Sequence, residues 1–238
     1  MNNPTFTNIF EMYYRLYRAE ATVPTSTDDE YTIAISLVNE AISRWANYDG
    51  VYWKELFTTA LTTVGSGAVT TITSGTTGYA APDDMREAGG FVKLKDSDGL
   101  TKQTYPIIDP QDGQFKDDLG TYCYFTGDPA NGFVLHLNPT PDAALDGLDI
   151  DYVYYKKPTE LATGSDVTEC PNSMFLVHRM LANRFRASRN PYYSSALRDA
   201  EDALSIMKLD NDSGNWANPW KLADNSGSVW GGSAGGGW

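Results

Sequence analysis

YFTGDPANGFVLHLNPTPDAALDGLDIDYVYYKKPTEL, residues 124–161, sets the fold class. Its opening belongs to a hairpin: TYCYFTG and GFVLHLNP flank DPAN, a polar turn between two runs rich in β-branched and aromatic residues. After the long turn NPTPDA comes LDIDYVYYKK. Here Leu148, Ile150, Tyr152 and Tyr154 alternate with Asp149, Asp151, Val153 and Tyr155. Period-two alternation, wetter on one face at its start, is the mark of a half-buried antiparallel strand, and Pro158 ends it. The segment carries no metal-ligand set, phosphate loop or nucleophile.

Reading outward, GGFVKLKDSDGLTKQTYPII is a second hairpin with DSDG as its turn. The stretch from residue 51 to 82 is β-branched, aromatic and punctuated by glycine, again strand and turn. DPQDGQFKDD is a loop or a short helix. Beyond these limits the period changes. Ile9, Tyr13, Leu16 and Tyr17 fall at helical spacing behind Thr7 or Asn8 as N-cap. A second helix opens at Asp28 or Asp29, with Tyr31, Ile35, Val38, Ile42 and Trp45 as its stripe and Asn47 and Gly50 as stop signals. After the linker TELATGSDVTECP, a third helix capped by Asn172 or Ser173 places Met174, Val177, His178, Leu181 and Phe185 on one face. NPYY turns the chain into a fourth with Leu197, Ala200, Leu204 and Met207, and the short link predicts an antiparallel pair.

Helices, then strands, then helices give an α+β class. The economical arrangement is a four-helix bundle formed by both ends of the chain, residues 1–50 and 168–210. An inserted antiparallel β domain, 51–167, has its ends close together, and a flexible C-terminal tail, 211–238, follows. Segments 8–47 and 172–208 are expected to pack together.

At 238 residues the chain is long enough for one large domain or two small ones with real cores. No apolar run approaches the ~20 residues a bilayer span requires, and the charged N-terminal stretch lacks the apolar core of a signal peptide. No membrane partner is expected. Cys123 and Cys170 lack metal-ligand spacing and read as reduced, buried thiols. The net charge of −13 argues against a broad nucleic-acid-binding surface. Such acidity serves solubility, and it equally suits a wall past which DNA slides without sticking.

No catalytic site, metal site or cofactor is expected. His178 lies on an apolar helix face and His136 alternates along a strand, so both read as packed residues. No serine sits in a G-x-S-x-G elbow, GSG at 65–67 lacks the phosphate-loop lysine, and the carboxylate pairs Asp83/Asp84 and Asp117/Asp118 fall in turns. The remaining signals are for partners. Arg179, Arg184, Arg186 and Arg189 cluster on the third helix, with Arg198 after them. They form either a solvated face paired with Glu201 and Asp202 or a charged surface for an acidic neighbour. The tail holds four of the six tryptophans, Trp216, Trp220, Trp230 and Trp238, among Gly, Asn and Ser. Trp216 and Trp220 either fold back on the chain's own helices or bind outside it, while Trp230 and Trp238 read as anchors for a partner.

Three stretches carry a resemblance: residues 28–57, 122–161 and 170–207, the second holding the strand, NPTPDA turn and YYKKPT strand end. Together they make the chain similar to the head-to-tail adaptors of tailed bacteriophages, the connector or tail-tubular-protein-A-like family. The resemblance implies a structural virion protein at the neck, assembled in the host cytoplasm. It would form a ring, usually a dodecamer, under the portal protein, extend the DNA channel and offer a surface to a tail or nozzle protein. Genomic DNA would pass through the lumen without specific binding. The helical part would face the portal, the β part the tail, and the C-terminal segment would reach into the portal. Trp216, Trp220, Trp230, Trp238, Arg179, Arg186 and Arg189 are the expected partner-binding residues. Two other classes fit the composition. A β-rich carbohydrate-binding or tail-associated module would expose coplanar aromatics, and a hydrolase would need a pocket with converging carboxylates.

Overall fold

The computed structural model describes residues 4–20, 22–48, 50–60, 70–109, 120–128 and 130–213. The readings placed on 61–69, on most of DPQDGQFKDD and on Trp216, Trp220, Trp230 and Trp238 fall outside the described residues. The chain divides into two compact units: residues up to Leu56 with those from Pro158 to the end of the last helix, and Phe57–Lys157.

The first unit holds four helices: α1 (Phe6–Arg18), α2 (Asp29–Ala46), α3 (Ser173–Ala187) and α4 (Tyr193–Ser213). α3 is the element on which α1, α2 and α4 all pack. That position explains a phase error in the sequence reading. Phe175, Leu176, Val177, Met180, Leu181 and Ala182 are buried, whereas Met174 is exposed. A helix covered on several sides buries most of its circumference, so no single stripe gives its orientation. On α1, Phe6, Ile9, Phe10, Tyr13 and Tyr14 are buried and Leu16 is exposed. The expected N-cap at Thr7 or Asn8 is corrected to Thr5, whose hydroxyl accepts from the Asn8 N–H. The helix starts earlier because the preceding backbone is held. Thr5 bridges Val167, and the Phe6 N–H donates to the Asp166 carbonyl. α2 starts after Asp28, as its sequence indicates, but that carboxylate accepts from Thr25 and makes no side-chain bond to the helix. Asn172 caps α3, accepting from the N–H groups of Met174 and Phe175.

The segment read as a linker is a strap docked on this unit. Asn39 on α2 holds Leu161 through both its amide oxygen and its amide nitrogen, each bond 2.9 Å long. The Thr7 hydroxyl donates to the Gly164 carbonyl, and a Cβ on Gly164 would lie 2.5 Å from that hydroxyl oxygen. Below the helices, Trp53 is fully buried and donates its indole N–H to the Trp45 carbonyl at 2.7 Å.

The second unit contains β1 (Phe57–Thr59), β2 (Tyr79–Ala80), β3 (Met85–Ala88), β4 (Phe91–Lys95), β5 (Thr101–Pro106), β6 (Tyr122–Asp128), β7 (Gly132–Asn138), β8 (Asp149–Asp151) and β9 (Val153–Lys156). They form three three-stranded sheets, ordered β1-β9-β3, β2-β7-β6 and β5-β4-β8, with every ladder antiparallel. Both expected hairpins are present: β4 pairs with β5 across Asp96–Gly99, and β6 pairs with β7 across the DPAN turn. The run LDIDYVYYKK is not one strand in one sheet. β8 pairs with β4, while β9 joins β1 and β3. The chain changes sheets at Tyr152, a corner that alternation cannot reveal because the side chains keep pointing the same way through it. One apolar core draws on all three sheets, with Val92, Leu94, Tyr105, Phe125, Leu135, Leu137, Ile150 and Tyr154 among its members.

Both cysteines are buried and unbridged, and burial pushes each thiol up to about 12. They should resist a maleimide in the native protein and react on unfolding, measured by mass spectrometry across a urea series. At Gly127, φ is +107° and a Cβ would sit 2.2 Å from the Gly132 carbonyl oxygen, whereas Gly99 has open space. Gly127→Ala should therefore cost about 1–3 kcal/mol or more, with Gly99→Ala near the lower end, measured by chemical denaturation. The turn carboxylates Asp96, Asp128 and Asp166 are held below the ordinary Asp range, chiefly by hydrogen bonds from Lys102, Asn131 and Thr163 respectively. A depressed folded-state value contributes stability above the unfolded value, and that stability is lost as pH falls through the folded one. Asp→Asn at these sites should reduce stability at neutral pH and flatten its dependence on acid.

Candidate partner-binding surface

The arginines of α3 have three different fates, set by helical phase. Arg184 points inward. Its Nη2 lies 3.0 Å from Glu30 Oε2, its Nε donates to the Tyr17 hydroxyl at 3.3 Å, and its guanidinium sits over the Tyr17 ring. One side chain thus joins α1, α2 and α3. Arg179 turns toward α4 and pairs with Glu201 at 3.4 Å, with 18% of its side chain exposed. Arg186 and Arg189 face solvent and make no ion pair among the described residues.

Of the expected partner-binding arginines, then, Arg186 and Arg189 share the exposed end of α3, and Arg179 is engaged within the chain. Arg189 has a left-handed backbone, φ +54°, just past the Ser188 C-cap. The Asn190 N–H reaches back to the Phe185 carbonyl, closing the helix end. Glycine is the usual residue at such a position, since a Cβ costs energy there.

Sequence reasoning missed the aromatic part of this corner. Tyr13 stacks on Tyr17, Tyr17 meets Phe185 at 6.1 Å, and Phe185 meets Tyr192 at 6.5 Å. The row runs from a fully buried ring to one that is 67% exposed. Arg18 lies over Tyr17 at 4.8 Å, and Leu16 beside it is exposed. The signal was present in the Tyr17 spacing and in NPYY, but the residues come from both ends of the chain. An exposed aromatic and apolar patch edged by arginines that make no ion pair among the described residues has the composition of interface anchors.

At the opposite end of α3 lies a cleft of about 420 Å³ lined by Trp53, Lys54, Glu55, Pro171, Met207 and Asp210, among others. Asn211 holds its floor, accepting from the Lys54 N–H and donating to the Tyr52 carbonyl. Glu55 Oε2 is shielded from solvent and has no hydrogen-bond partner among the described residues, and burial raises its carboxyl above the usual range. Ile206, also in the lining, and Leu209 are exposed on α4.

In the β unit, His136 is locked in place. Its Nδ1 donates to the Thr77 carbonyl at 3.0 Å, its Nε2 accepts from the Thr126 hydroxyl at 2.8 Å, and its ring stacks on Tyr124. One face of the Tyr124 ring is thus covered by the imidazole. Asp84 accepts a hydrogen bond from the Tyr154 hydroxyl at 2.8 Å. Among the described residues no group of three or more His, Cys, Asp or Glu is placed to hold a metal ion, and no helix is long and apolar enough to cross a membrane.

The family model described as SU10 adaptor protein matches residues 15–223. The match takes in all of α2, α3, α4 and the β unit. No curated protein matches the chain.

Arg184→Met should destabilise the helical unit by about 2–4 kcal/mol, because Glu30 is left partly buried and unpaired. Arg186→Ala should change stability by less than about 0.5 kcal/mol. Arg189→Gly should raise stability by up to about 1 kcal/mol by relieving the left-handed backbone. Thermal and urea unfolding of the three variants measure all of these.

Proposed function

The chain belongs to the SU10 adaptor protein family, phage head-to-tail adaptors, and from that premise we propose that it is a structural virion protein of the neck. It forms a ring, most simply a dodecamer, under the portal protein, extends the DNA channel and offers the attachment surface for a tail or nozzle protein. It works as a binding scaffold and not as an enzyme, and assembles in the host cytoplasm before joining the particle.

Family membership is the observation that carries this reading. The two-unit construction supports it: four helices from both ends of the chain read as one bundle for the portal side, with the β unit as the insertion for the tail side. The net charge of −13 suits a lumen through which DNA passes without being held. Arg186 and Arg189 are then assigned away from that lumen, against a neighbouring copy or the portal, while Arg179 is held by Glu201 within the chain. The tail supplies further anchors. Fixing a glycine-rich segment costs on the order of 1–2 kcal/mol per residue, and each buried indole contributes ~3 kcal/mol. Trp216, Trp220, Trp230 and Trp238 therefore suffice to hold part of the tail against the portal or an adjacent copy.

Asn211 fixes where to cut. It is buried and holds Tyr52 and Lys54, so a truncation should keep residues through 213. Removing 214–238 should leave the unfolding midpoint unchanged and weaken attachment to purified portal at least tenfold, measured by co-sedimentation. Equal binding by the shortened chain would count against the tail as an anchor. Particle images with this chain absent from the neck would count against the whole reading.

A further inference from the structure

The two ends of α3 carry opposite chemistry. Its C-terminal end displays Arg186, Arg189 and the exposed Tyr192. Beside its N-terminal end lies the cleft, whose lining holds two carboxylates, Glu55 and Asp210, against one cation, Lys54, with Ile206 at its wall. The helix has 15 residues, so these features are roughly 20 Å apart on one molecule. They cannot meet within a copy, but they can meet between copies.

The cleft calls for a donor from outside. An ionised carboxylate only accepts hydrogen bonds; Glu55 lines the cleft, its carboxyl accepts from its own backbone N–H, and its Oε2, turned away from solvent, has no donor among the described residues. Lys54 adjoins it in sequence, yet no ion pair joins the two. The walls from Trp53, Pro171, Ile206 and Met207 suit the aliphatic stem of a long cationic side chain, with the charged head beside the Glu55 and Asp210 side chains of the lining. A guanidinium fits best, since it offers a fork of N–H donors and tolerates loss of water better than an ammonium.

We propose that the cleft receives an arginine from the α3 C-terminal corner of a second copy, with Arg189 as the inserted residue and Arg186 and Tyr192 closing over the rim. Arg189 is chosen because it is exposed, makes no ion pair among the described residues and sits where glycine would be less strained. The contact joins two different patches, so it is heterologous, and a heterologous contact repeats from copy to copy until the rotation closes. This rests on the ring reading above and assigns the surfaces that mate in it. It also brings the arginines that make no ion pair among the described residues to the acidic side chains of the cleft.

The full chain tests it. Ala187→Cys and Ile206→Cys place thiols beside the two patches and leave Arg189 in place, and the native cysteines are buried. With a short bismaleimide, the double variant should give a ladder of covalent multimers. An equimolar mixture of the two single variants should give mixed dimers. Glu55→Gln and Arg189→Gly, both kept folded as judged by circular dichroism, should each weaken self-association about tenfold in sedimentation velocity. Arg189→Gly should do so while raising thermal stability, which a merely structural role would not produce. Assembled protein that cross-links only as symmetric dimers, or not at all, would overturn the inference and leave the ring reading standing. An effect of Glu55→Gln that vanishes on removing 214–238 would make the chain's own tail the occupant and also overturn it. A chain that stays monomeric at all concentrations, alone and with portal, would defeat both.

Discussion

The β unit can be inserted into a helical chain because its first and last strands are neighbours. β1 pairs with β9 in antiparallel register, Phe57 opposite Tyr155 and Thr59 opposite Val153. The rings of Phe57 and Tyr155 meet at 5.2 Å, and Tyr155 is buried. The chain thus leaves the β unit beside the point where it entered. Closing so long a loop carries an entropic cost that grows only slowly with length, and the strand pair with its aromatic contact offsets it locally. Without that closure, the helices before residue 57 and those after residue 157 would have no fixed route to a common core.

Given that closure, α3 organises the helical unit. It receives α1 and α2 from the start of the chain and α4 from its own side. A helix so enclosed has little room for charge, and Arg184 is tolerated because Glu30 and Tyr17 satisfy it. Its neighbours two and five residues on, Arg186 and Arg189, fall on the open side and keep their charge in water. The same spacing that buries one arginine therefore exposes the others. A cluster that looks uniform in sequence divides into a helix clamp, an α3–α4 bridge at Arg179 and a free cationic corner.

Several groups that could carry chemistry are taken up within the fold. Thiols are buried, the His136 ring is bonded on both nitrogens, and Asp84 is taken by Tyr154. Exposed apolar side chains lie on helices and near helix ends at Leu16, Tyr192, Ile206 and Leu209, and in the β unit at Phe91, Leu100 and Val134. Such a distribution suits a protein that works by fitting against neighbours, in keeping with membership in an adaptor family.

Much of this was legible in the sequence because it depends on local rules. The change of period marked helices at both ends and strands between them, Asn172 announced its helix, and DSDG and DPAN announced their hairpins, since caps and turns are decided by residues within a few positions of one another. Alternation also identified the buried Ile150, Tyr152 and Tyr154. What tertiary structure alone decided involves partners distant in the chain. The break at Tyr152 between two sheets leaves the alternation unchanged. The N-terminus of α1 was moved to Thr5 by a strap about 160 residues away. The burial of Arg184 required Glu30 and Tyr17, and the cleft at Glu55 required α3, α4 and the turn after Trp53 to converge. Periodicity states which faces of an element are apolar, but only packing decides what covers each face and which polar groups are left waiting for a partner.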